Sequence, residues 1–483
     1  MTHAQLPAST EVVVIGGGIA GLVAARRLAQ SGAGSADSTV TLLEAGNEVG
    51  GKLRGVEVAG VRVDSGAEAM LARRPEGIAL AEQLGLPLVV PEAVSPSVYS
   101  RGALRPLPRS LMGAPTDSAS LEASGVLSVA GLSRALREPG VPIRLPAEDV
   151  AVGELIAERF GEEVVDRLVE PLLGGVYAGD ARRISAQAAV PQLLAALERG
   201  PLLDRSTPAP SPSVAATADS VFAGIEGGMW RLPEALAATA GVSVHTQQLV
   251  RAIRRVPGGF EVLTSAVGSG VEHRLHARHV VVATPAHAAS RLLGEIAPVA
   301  AAALAEIEAA SVGVVTLALT PESAGDLPGS GFLVPPVEDG VRIKAATFSA
   351  NKWAWVAAAG RSAGVVLVRA SWGRAGEVRS LQRSDEELIA ASVGELAGVL
   401  RRDLSLVAGH VQRWGGGLPQ YAVGHLDRVE RIRADVARIP GLAVCGAAYD
   451  GVGIPAVIAS ADRAVRELLG GPGTAPSASR GHN

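Results

Sequence analysis

A glycine run near the start of the chain limits the possible folds more than any other feature. Residues 12–15 are apolar and β-branched, and Gly16, Gly17, Gly18, Ile19, Ala20 and Gly21 follow directly. A strand therefore passes into a tight turn and then a helix, in which the glycines allow the turn, the approach of a pyrophosphate and close packing of helix on strand. Glu44 lies at the end of the next apolar run, VTLLEA. An acid at this position would accept hydrogen bonds from the ribose hydroxyls and would repel a phosphate on that ribose. The pattern predicts a dinucleotide site.

A second glycine pair favours a flavin over a nicotinamide. Gly50, Gly51 and Lys52 come soon after Glu44, and residues 63–70 read VDSGAEAM. A second glycine turn lets another stretch of backbone approach the same pyrophosphate, whose charge Lys52 can neutralise. The alternative is a glycine-rich hairpin with a solvated lysine. We predict a long, buried cofactor.

Composition indicates a large enzyme of two or three domains. The chain has 483 residues, of which 48% are hydrophobic and 19% are charged. No apolar run reaches the roughly 18 residues that span a bilayer, so no transmembrane segment is predicted. The net charge of −4 and the scattered basic residues give no reason to expect nucleic acid.

The expected location is the cytoplasm. The first eleven residues show neither a cationic start nor an apolar core of a secretory signal. The single cysteine, Cys445, excludes intrachain disulfides and suits a reducing compartment. Because Cys445 lies within an apolar strand pattern, we interpret it as a core residue; a covalent link to a flavin is the alternative.

The region after the nucleotide segment changes to helical periodicity. Residues 150–169 place six apolar side chains at spacings of three, four and their multiples, with charges between them: Leu155, Ile156, Val164, Val165, Leu168 and Val169. We expect this face to pack in the core, although a membrane surface or an apolar substrate could also cover it. Residues 200–218 are rich in Pro, Ser, Ala and Thr and are predicted to be a mobile loop, and 470–483 a disordered tail.

Strand patterns resume after the loop and predict a discontinuous nucleotide domain. Residues 242–246 and 249–253 suggest a strand and its return, 279–285 a buried strand ending in a turn, and 442–455 a strand, a glycine-rich turn and a helix start. The helix N-terminus can stabilise negative charge on a reduced flavin or a phosphate. The predicted domains are a nucleotide domain (1–90, 219–295 and 405–469), a helical lobe (91–199) and a substrate domain (296–404).

Five further segments carry a resemblance to a known family. They are EPLLGGVYAGD at 170–180, GGMWRLP at 227–233, GFLVP at 331–335, TFSANKW at 347–353 and WGGGLPQYAVGH at 414–425. Together with the nucleotide segments, they resemble the protoporphyrinogen and coproporphyrinogen III oxidases of haem biosynthesis, within the amine oxidase superfamily, over residues 10–468. PRSLMGAPT at 108–116 resembles the Gram-positive-type branch, which acts on coproporphyrinogen III.

The resemblance implies an α/β fold in which a Rossmann-like FAD-binding domain, assembled from discontinuous segments, accompanies a mixed-sheet substrate domain and an inserted helical lobe. It implies noncovalent FAD, contacted by Gly16, Gly17, Gly18, Ile19, Ala20, Gly21, Glu44, Ala45, Lys52, Gly66, Ala67, Glu68, Ala69, Val250, Trp414, Val452, Gly453 and Ile454. Val250 can pair its backbone with the adenine edge, and Trp414 offers a flat surface near the flavin ring. A core aromatic is the alternative interpretation of Trp414.

The implied reaction is the oxidation of coproporphyrinogen III to coproporphyrin III by molecular oxygen, with hydrogen peroxide as the second product. The implied partners are the tetrapyrrole, oxygen and a ferrochelatase-type enzyme that receives the porphyrin, and peripheral contact with the inner face of the membrane is compatible with the sequence. Protoporphyrinogen IX is the alternative substrate. An amine oxidase, a carotenoid desaturase and a non-catalytic flavoprotein are also compatible with the nucleotide segments.

Arginines are the expected partners of the substrate's propionates, because their planar fork binds carboxylates bidentately. Candidate substrate residues are Arg73, Arg74, Arg109 and Arg369, and Arg374, in the same run as Arg369, is a further candidate. Each could instead be a solvated surface charge. The sequence assigns no catalytic base and no metal ligand.

Overall fold

The computed structural model describes residues 6–31, 40–204 and 220–470. Its strands are β1 Ser9–Ile15, β2 Val40–Leu43, β3 Gly55–Val58, β4 Val61–Asp64, β5 Met70–Leu71, β6 Leu88–Val89, β7 Ser97–Ser100, β8 Ala103–Pro106, β9 Ser110–Leu111, β10 Ala114–Pro115, β11 Phe222–Ile225, β12 Val242–His245, β13 Gln248–Val256, β14 Gly259–Ala266, β15 Glu272–Val282, β16 Ala309–Leu319, β17 Gly331–Leu333, β18 Ala345–Thr347, β19 Val366–Trp372, β20 Leu406–Pro419 and β21 Leu442–Val444.

The helices are α1 Ile19–Gln30, α2 Pro75–Gln83, α3 Ser118–Ser124, α4 Val129–Ala135, α5 Val152–Phe160, α6 Glu162–Val164, α7 Glu170–Tyr177, α8 Ala186–Ala189, α9 Pro191–Glu198, α10 Arg231–Ala237, α11 Ala286–Leu293, α12 Pro298–Ala305, α13 Pro321–Ala324, α14 Ser349–Lys352, α15 Ala354–Ala363, α16 Asp385–Leu400, α17 His425–Val436 and α18 Ile454–Leu469. Short 3₁₀ segments lie at Glu138–Gly140 and Val378–Gln382, and a π-helical turn at Val165–Val169.

The chain divides into two compact units. The first comprises Met1–Gly51, Leu232–Glu306 and Asp427–Asn483, and the second Lys52–Arg231 and Ile307–Leu426. The segments 52–90, 220–231 and 405–426, which the sequence assigned to the nucleotide domain, thus lie in the second unit. The predicted helical lobe begins with four short strands, β7 to β10, before its helices.

The first unit is built on a Rossmann-like sheet. Its strands follow the order β12-β2-β1-β15-β14-β13, with β21 also paired to β15. Strands β12, β2, β1, β15 and β21 run parallel, as expected for near-continuous apolar strands covered by helices. The expected return of β12 along β13 is wrong: β12 pairs with β2, and β13 forms its hairpin with β14. Both strands have the β-branched pattern that predicts a strand, and neither pattern specifies its partner.

The second unit contains a mixed seven-stranded sheet in the order β20-β16-β19-β18-β17-β7-β8. Alternate residues of its central strands pack into one core, including Val315, Val368, Ala370, Phe332 and Trp372. On the opposite face, Ala318 and Leu367 belong to a second core cluster, whereas Val314, Ser371 and Gln412 are half-buried. The fold class expected from the sequence is therefore confirmed: an α/β protein with a discontinuous Rossmann-like unit and a mixed sheet.

The apolar face predicted over residues 150–169 is core, because all six of its apolar side chains are buried. The helix is not continuous: it is interrupted at Gly161, whose φ of +94° lies outside the helical region, and its second part passes through the π-helical turn into α7. Nearly all of the predicted mobile loop and disordered tail lie outside the described residues. Within the described residues, no helix is both long and apolar enough to cross a bilayer.

Candidate functional site

Each glycine of the first turn has its own structural role, and the turn lies within the first unit. Gly16 adopts φ +108°, and a Cβ there would lie 2.8 Å from the Ala283 oxygen. A Cβ on Gly21 would lie 1.9 Å from the Gly16 oxygen, so helix α1 could not pack against the turn. A Cβ on Gly18, by contrast, would have no neighbour within 4 Å. Gly18, which precedes the first turn of α1, is therefore the place where backbone is left open to a ligand.

Glu44 is held at the carboxyl end of β2, beside this turn. Its carboxylate accepts hydrogen bonds from the backbone N–H groups of Gly17 and Gly46, each at 2.6 Å. The Glu44 carbonyl accepts from the N–H of Gln248 at 2.8 Å, where β13 begins. Val250 follows on β13 and is buried, next to an irregularity in the β13–β14 register. The structure thus brings the acid and the predicted adenine-binding strand together.

The second glycine pair lies against the first turn. The N–H of Gly50 donates to the Gly17 oxygen at 2.8 Å, and Gly18 and Gly50 form an isolated parallel bridge. Gly51 adopts φ +56°, and a Cβ there would approach the Gly18 Cα to 3.2 Å. Two stretches of backbone thus meet at Gly18, as the sequence pattern predicts for a pyrophosphate site.

Helix α18 begins at the third predicted segment. Gly453 is its N-cap, without a side-chain cap, and a Cβ on Gly453 would meet no atom within 4 Å. Val452 precedes this cap and Ile454 opens the helix, so its first N–H groups are available to an anionic group. Cys445 is fully buried in the preceding strand segment, and burial raises the pKa of its thiol to about 12. These properties support the core interpretation of Cys445.

In the second unit, residues 66–69 form a loop pressed against the Lys52 backbone. A Cβ on Gly66 would lie 1.9 Å from the Lys52 oxygen, to which Ala67 N–H donates at 3.1 Å. The same Cβ would lie 3.4 Å from the edge of the half-buried Trp414 ring. Burial lowers the pKa of the Lys52 ammonium, and no carboxylate partner of Lys52 occurs among residues that the structure describes. An anionic ligand would relieve this cost.

The loop is fixed by an ion cluster that consists of Glu68, Lys352 and Arg369. The Glu68 carboxylate lies 2.6 Å from Lys352 Nζ and 2.7 Å from an Arg369 guanidinium nitrogen. Arg369 also donates to the Gly66 oxygen. Burial alone would raise the pKa of Glu68, but the charges of Lys352 and Arg369 outweigh it and lower the pKa to about 2. Glu68 is therefore ionised and joins the loop to strand β19 and helix α14.

Asp64 is a second buried acid close to the same loop. Its two carboxylate oxygens accept from the N–H groups of Met229 and Trp230, each at 3.0 Å. Burial outweighs these donors and raises the pKa of Asp64 to about 7. Asp64, Glu68 and Arg369 line one small cavity together with Thr316 and Trp353. Sequence inspection missed the role of Asp64, although GGMWRLP indicated the segment that binds it.

Four of the candidate arginines do not form one cluster. Arg369 is buried in the Glu68 cluster, and Arg74 pairs with Glu76 at 2.6 Å. Arg73 and Arg109 are exposed, on different segments of the unit. Their roles toward a substrate stay predictions.

One face of the second unit's sheet has the character of a binding surface. Opposite the core, Val314, Ser371, Gln412, Trp414 and Leu333 are half-buried. They combine apolar area with a few polar groups, which is the usual composition of a small-molecule site. Arg369 lies on the same face, two residues before Ser371 on β19. Such a surface suits a flat apolar ligand.

The residues present fit a flavin dinucleotide by three structural observations. The Gly18 backbone is open, the N-cap of α18 is open, and Lys52 is a half-buried cation without a described carboxylate partner. Each feature is costly or unexplained in the absence of an anionic cofactor. Among the described residues, no group of three or more His, Cys, Asp or Glu side chains is placed to hold a metal ion.

Comparison with known proteins agrees with this assignment. The family model described as flavin containing amine oxidoreductase matches residues 19–469. A coproporphyrinogen III oxidase of Mycobacterium tuberculosis (strain H37Rv) is 37% identical over 94% of this chain and 96% of the relative. The coproporphyrinogen III oxidase of Bacillus subtilis (strain 168) is 31% identical over 95% of this chain and 97% of its own length. A crystal structure from Exiguobacterium, described as a protoporphyrinogen oxidase, superposes with a TM-score of 0.83 at 29% identity, covering 95% of this chain and 98% of that one.

Proposed function

The chain belongs to the protoporphyrinogen and coproporphyrinogen III oxidase group within the flavin-containing amine oxidoreductase family, and from this premise we propose that it oxidises coproporphyrinogen III to coproporphyrin III. It is an FAD-dependent oxidoreductase. The observation that carries the substrate proposal is similarity along nearly the whole chain to relatives named for coproporphyrinogen III. The half-buried sheet face of the second unit supports it, because a tetrapyrrole is flat and largely apolar.

The proposed reaction removes six hydrogen atoms from the macrocycle in three two-electron steps. In each step, a carbon–hydrogen bond of a bridging carbon breaks with loss of a hydride and one proton leaves, so that a double bond forms. Over the three steps the four bridging carbons lose three hydrides and one proton, and the pyrrole nitrogens lose two protons. One molecule of oxygen takes up both electrons and two protons and becomes hydrogen peroxide. Flavin supplies the two-electron redox chemistry when bound.

We propose that noncovalent FAD contacts the residues that the family resemblance implies. These are Gly16 to Gly21, Glu44, Ala45, Lys52, Gly66 to Ala69, Val250, Trp414 and Val452 to Ile454. The contribution of this chain is then to bind and orient. Glu68 has no assigned catalytic role; its ion pairs hold the Gly66 loop in place, and a fixed loop preserves the alignment of reacting groups. No base is assigned, because pyrrole protons can leave to water.

Protoporphyrinogen IX is the second candidate substrate. The structure described as a protoporphyrinogen oxidase has 29% identity to this chain, and a protoporphyrinogen oxidase of Arabidopsis chloroplasts is 27% identical over 89% of this chain. The two substrates differ in charge, since coproporphyrinogen III carries four propionates and protoporphyrinogen IX two. The proposed location is the cytoplasm or the inner face of the membrane, with transfer of the product to a ferrochelatase-type enzyme.

The test offers both porphyrinogens, prepared without oxygen, to the purified yellow protein in air. Porphyrin fluorescence and peroxide are followed together, with flavin-stripped protein as the control. We expect faster turnover of coproporphyrinogen III and three peroxides for each porphyrin formed. Faster turnover of protoporphyrinogen IX would favour the second candidate. No turnover of either, with flavin bound, would move the assignment to an amine oxidase, a desaturase or a non-catalytic flavoprotein.

A further inference from the structure

Lysine is scarce in this chain: Lys52, Lys344 and Lys352 are the only three among 44 basic residues. Lys52 lies under the Gly66 loop, and Lys352 pairs with Glu68. Lys344 has no role in either arrangement. Arginine supplies all other cations, even on the surface, and a compact ammonium differs from a planar guanidinium fork in size and in hydrogen-bond geometry.

Lys344 is buried, with 7% of its surface exposed, and its charge is poorly compensated. Its ammonium has one described contact, with the Gly174 oxygen at 3.4 Å, and that oxygen already accepts from the Ala178 N–H at 3.0 Å. Within residues 6–31, 40–204 and 220–470, no carboxylate forms an ion pair with Lys344. A buried charge without an ionic partner is costly, so a function must retain it.

A second cation lies close to Lys344. Arg374 donates to the Val334 oxygen at 2.9 Å, and its side chain is only 12% exposed. Glu377 is 3.5 Å from Arg374 but is itself 45% exposed, so it compensates the two cations weakly. Burial and the charge of Arg374 lower the pKa of Lys344 to about 8, against the opposing charge of Glu377. The ammonium is still mostly protonated at neutral pH and would gain from an anion.

The structure also leaves room beside Lys344. Gly174 is buried, yet a Cβ there would meet no atom within 4 Å, and at Gly175 the only such neighbour is Leu333 at 3.9 Å. Leu333 belongs to the half-buried face of the sheet described above. The open space thus lies at Gly174 and Gly175 in the C-terminal half of α7, and the Lys344 ammonium contacts the carbonyl of the first of these glycines.

We propose that Lys344, supported by Arg374, binds a carboxylate of the substrate in the space beside Gly174. This inference rests on the proposed function, in which the substrate carries propionates. It identifies Lys344 as a binding and specificity determinant in addition to the arginines expected from the sequence, of which Arg374 is one. A substrate with four propionates presents more carboxylates to such a position than one with two.

Three variants separate anion binding from a structural role. Lys344→Gln keeps a donor for the Gly174 oxygen but removes the charge, and Lys344→Arg keeps the charge. Arg361→Gln removes an exposed cation from α15 in the same unit and is the matched control. All variants are used as flavin-loaded protein, and thermal unfolding verifies that each is folded.

The first readout is equilibrium binding of coproporphyrin III, followed by quenching of porphyrin fluorescence, with its tetramethyl ester as the uncharged probe. We expect Lys344→Gln to weaken binding of the acid at least tenfold and to leave binding of the ester unchanged. Lys344→Arg should retain most of the affinity, and Arg361→Gln all of it. In turnover, Lys344→Gln should raise KM for coproporphyrinogen III while kcat changes less than threefold.

The outcomes distinguish this inference from the proposed function. If the unaltered protein turns over coproporphyrinogen III, but Lys344→Gln binds the acid as tightly as Arg361→Gln does, the inference is wrong and the function stands. If Lys344→Gln weakens acid and ester equally, Lys344 has a structural role and the inference is also wrong. If the unaltered protein neither binds nor oxidises coproporphyrinogen III, the proposed function itself has failed.

Discussion

Glu68 and Arg369, which are 301 residues apart in sequence, form an ion pair of 2.7 Å in which both side chains are largely buried. The same guanidinium donates to the Gly66 oxygen, so this pair fixes a loop that carries four predicted cofactor contacts. The Lys352 ammonium lies 2.6 Å from the Glu68 carboxylate and also balances its negative charge. Removing one member of such a cluster leaves the other charges buried without a partner.

The substitution Glu68→Gln should therefore destabilise the protein by about 3 kcal/mol, since it leaves Arg369 and Lys352, whose side chains are only 10% and 20% exposed, without their carboxylate partner. The measurement is the free energy of unfolding in urea, with flavin release followed in parallel. Glu76→Gln is the control, because it breaks the more exposed Arg74–Glu76 pair and should cost less than about 1 kcal/mol. Equal losses in the two variants would contradict a central role for the Glu68 cluster.

Asp64 should make stability depend on pH in the opposite sense to an ion-paired acid. Its pKa in the folded protein is raised to about 7 from 3.8, so the folded state holds this proton more tightly than the unfolded state does. The free energy of unfolding should then fall as pH rises between those two values, by up to about 1.4 kcal/mol per pH unit from this group.

The variant Asp64→Asn isolates this contribution. Its amide keeps one acceptor for the backbone donors but does not titrate. The free energy of unfolding of the unaltered protein, relative to that of the variant, should therefore decrease from about pH 5 to about pH 7. Urea unfolding at several pH values measures the difference. An increase over the same range would mean that attraction to Arg369 dominates over burial at Asp64.

The sequence predicted the local elements of the site better than their assembly. The glycine turns, Glu44 and the start of α18 follow from short-range patterns, because glycine at positive φ and strand-to-helix transitions leave local signatures. The pairing of β12 with β2 was not predictable, since parallel partners meet through crossovers that the strand pattern does not encode.

The ion cluster also escaped sequence inspection. Arg369 was selected as a candidate for the substrate, but its partner Glu68 lies on a segment 301 residues away, and no spacing rule connects the two. Burial decides whether an arginine meets a propionate or an internal carboxylate, and burial depends on the tertiary fold. Lysine is scarce in the sequence, and this scarcity is a signal that could have drawn attention to Lys344 and Lys352.

Two alanine substitutions should separate cofactor binding from folding in the first glycine turn. Gly18→Ala places its methyl group in open space, so the protein should fold with unchanged thermal stability when flavin is absent, yet bind FAD at least tenfold more weakly. Gly21→Ala would force the methyl group to within 1.9 Å of the Gly16 oxygen and should prevent folding of the unit. Circular dichroism and flavin titration measure the two effects. Normal FAD affinity in Gly18→Ala would exclude the proposed approach of the pyrophosphate to Gly18.

Lys52→Met should have opposite effects on stability and on cofactor affinity. Burial lowers the pKa of Lys52 and no carboxylate compensates it among the described residues, so an apolar side chain of similar length should leave the flavin-free protein equally stable or more stable. The same change removes the cation expected at the pyrophosphate and should weaken FAD binding about tenfold, which corresponds to about 1.4 kcal/mol. Arg361→Met is the control for loss of a positive charge, because its side chain is exposed. Thermal unfolding of flavin-free protein and fluorescence titration with FAD provide the two values. A loss of stability together with unchanged FAD affinity would identify Lys52 as a structural residue of the second unit rather than a ligand of the cofactor.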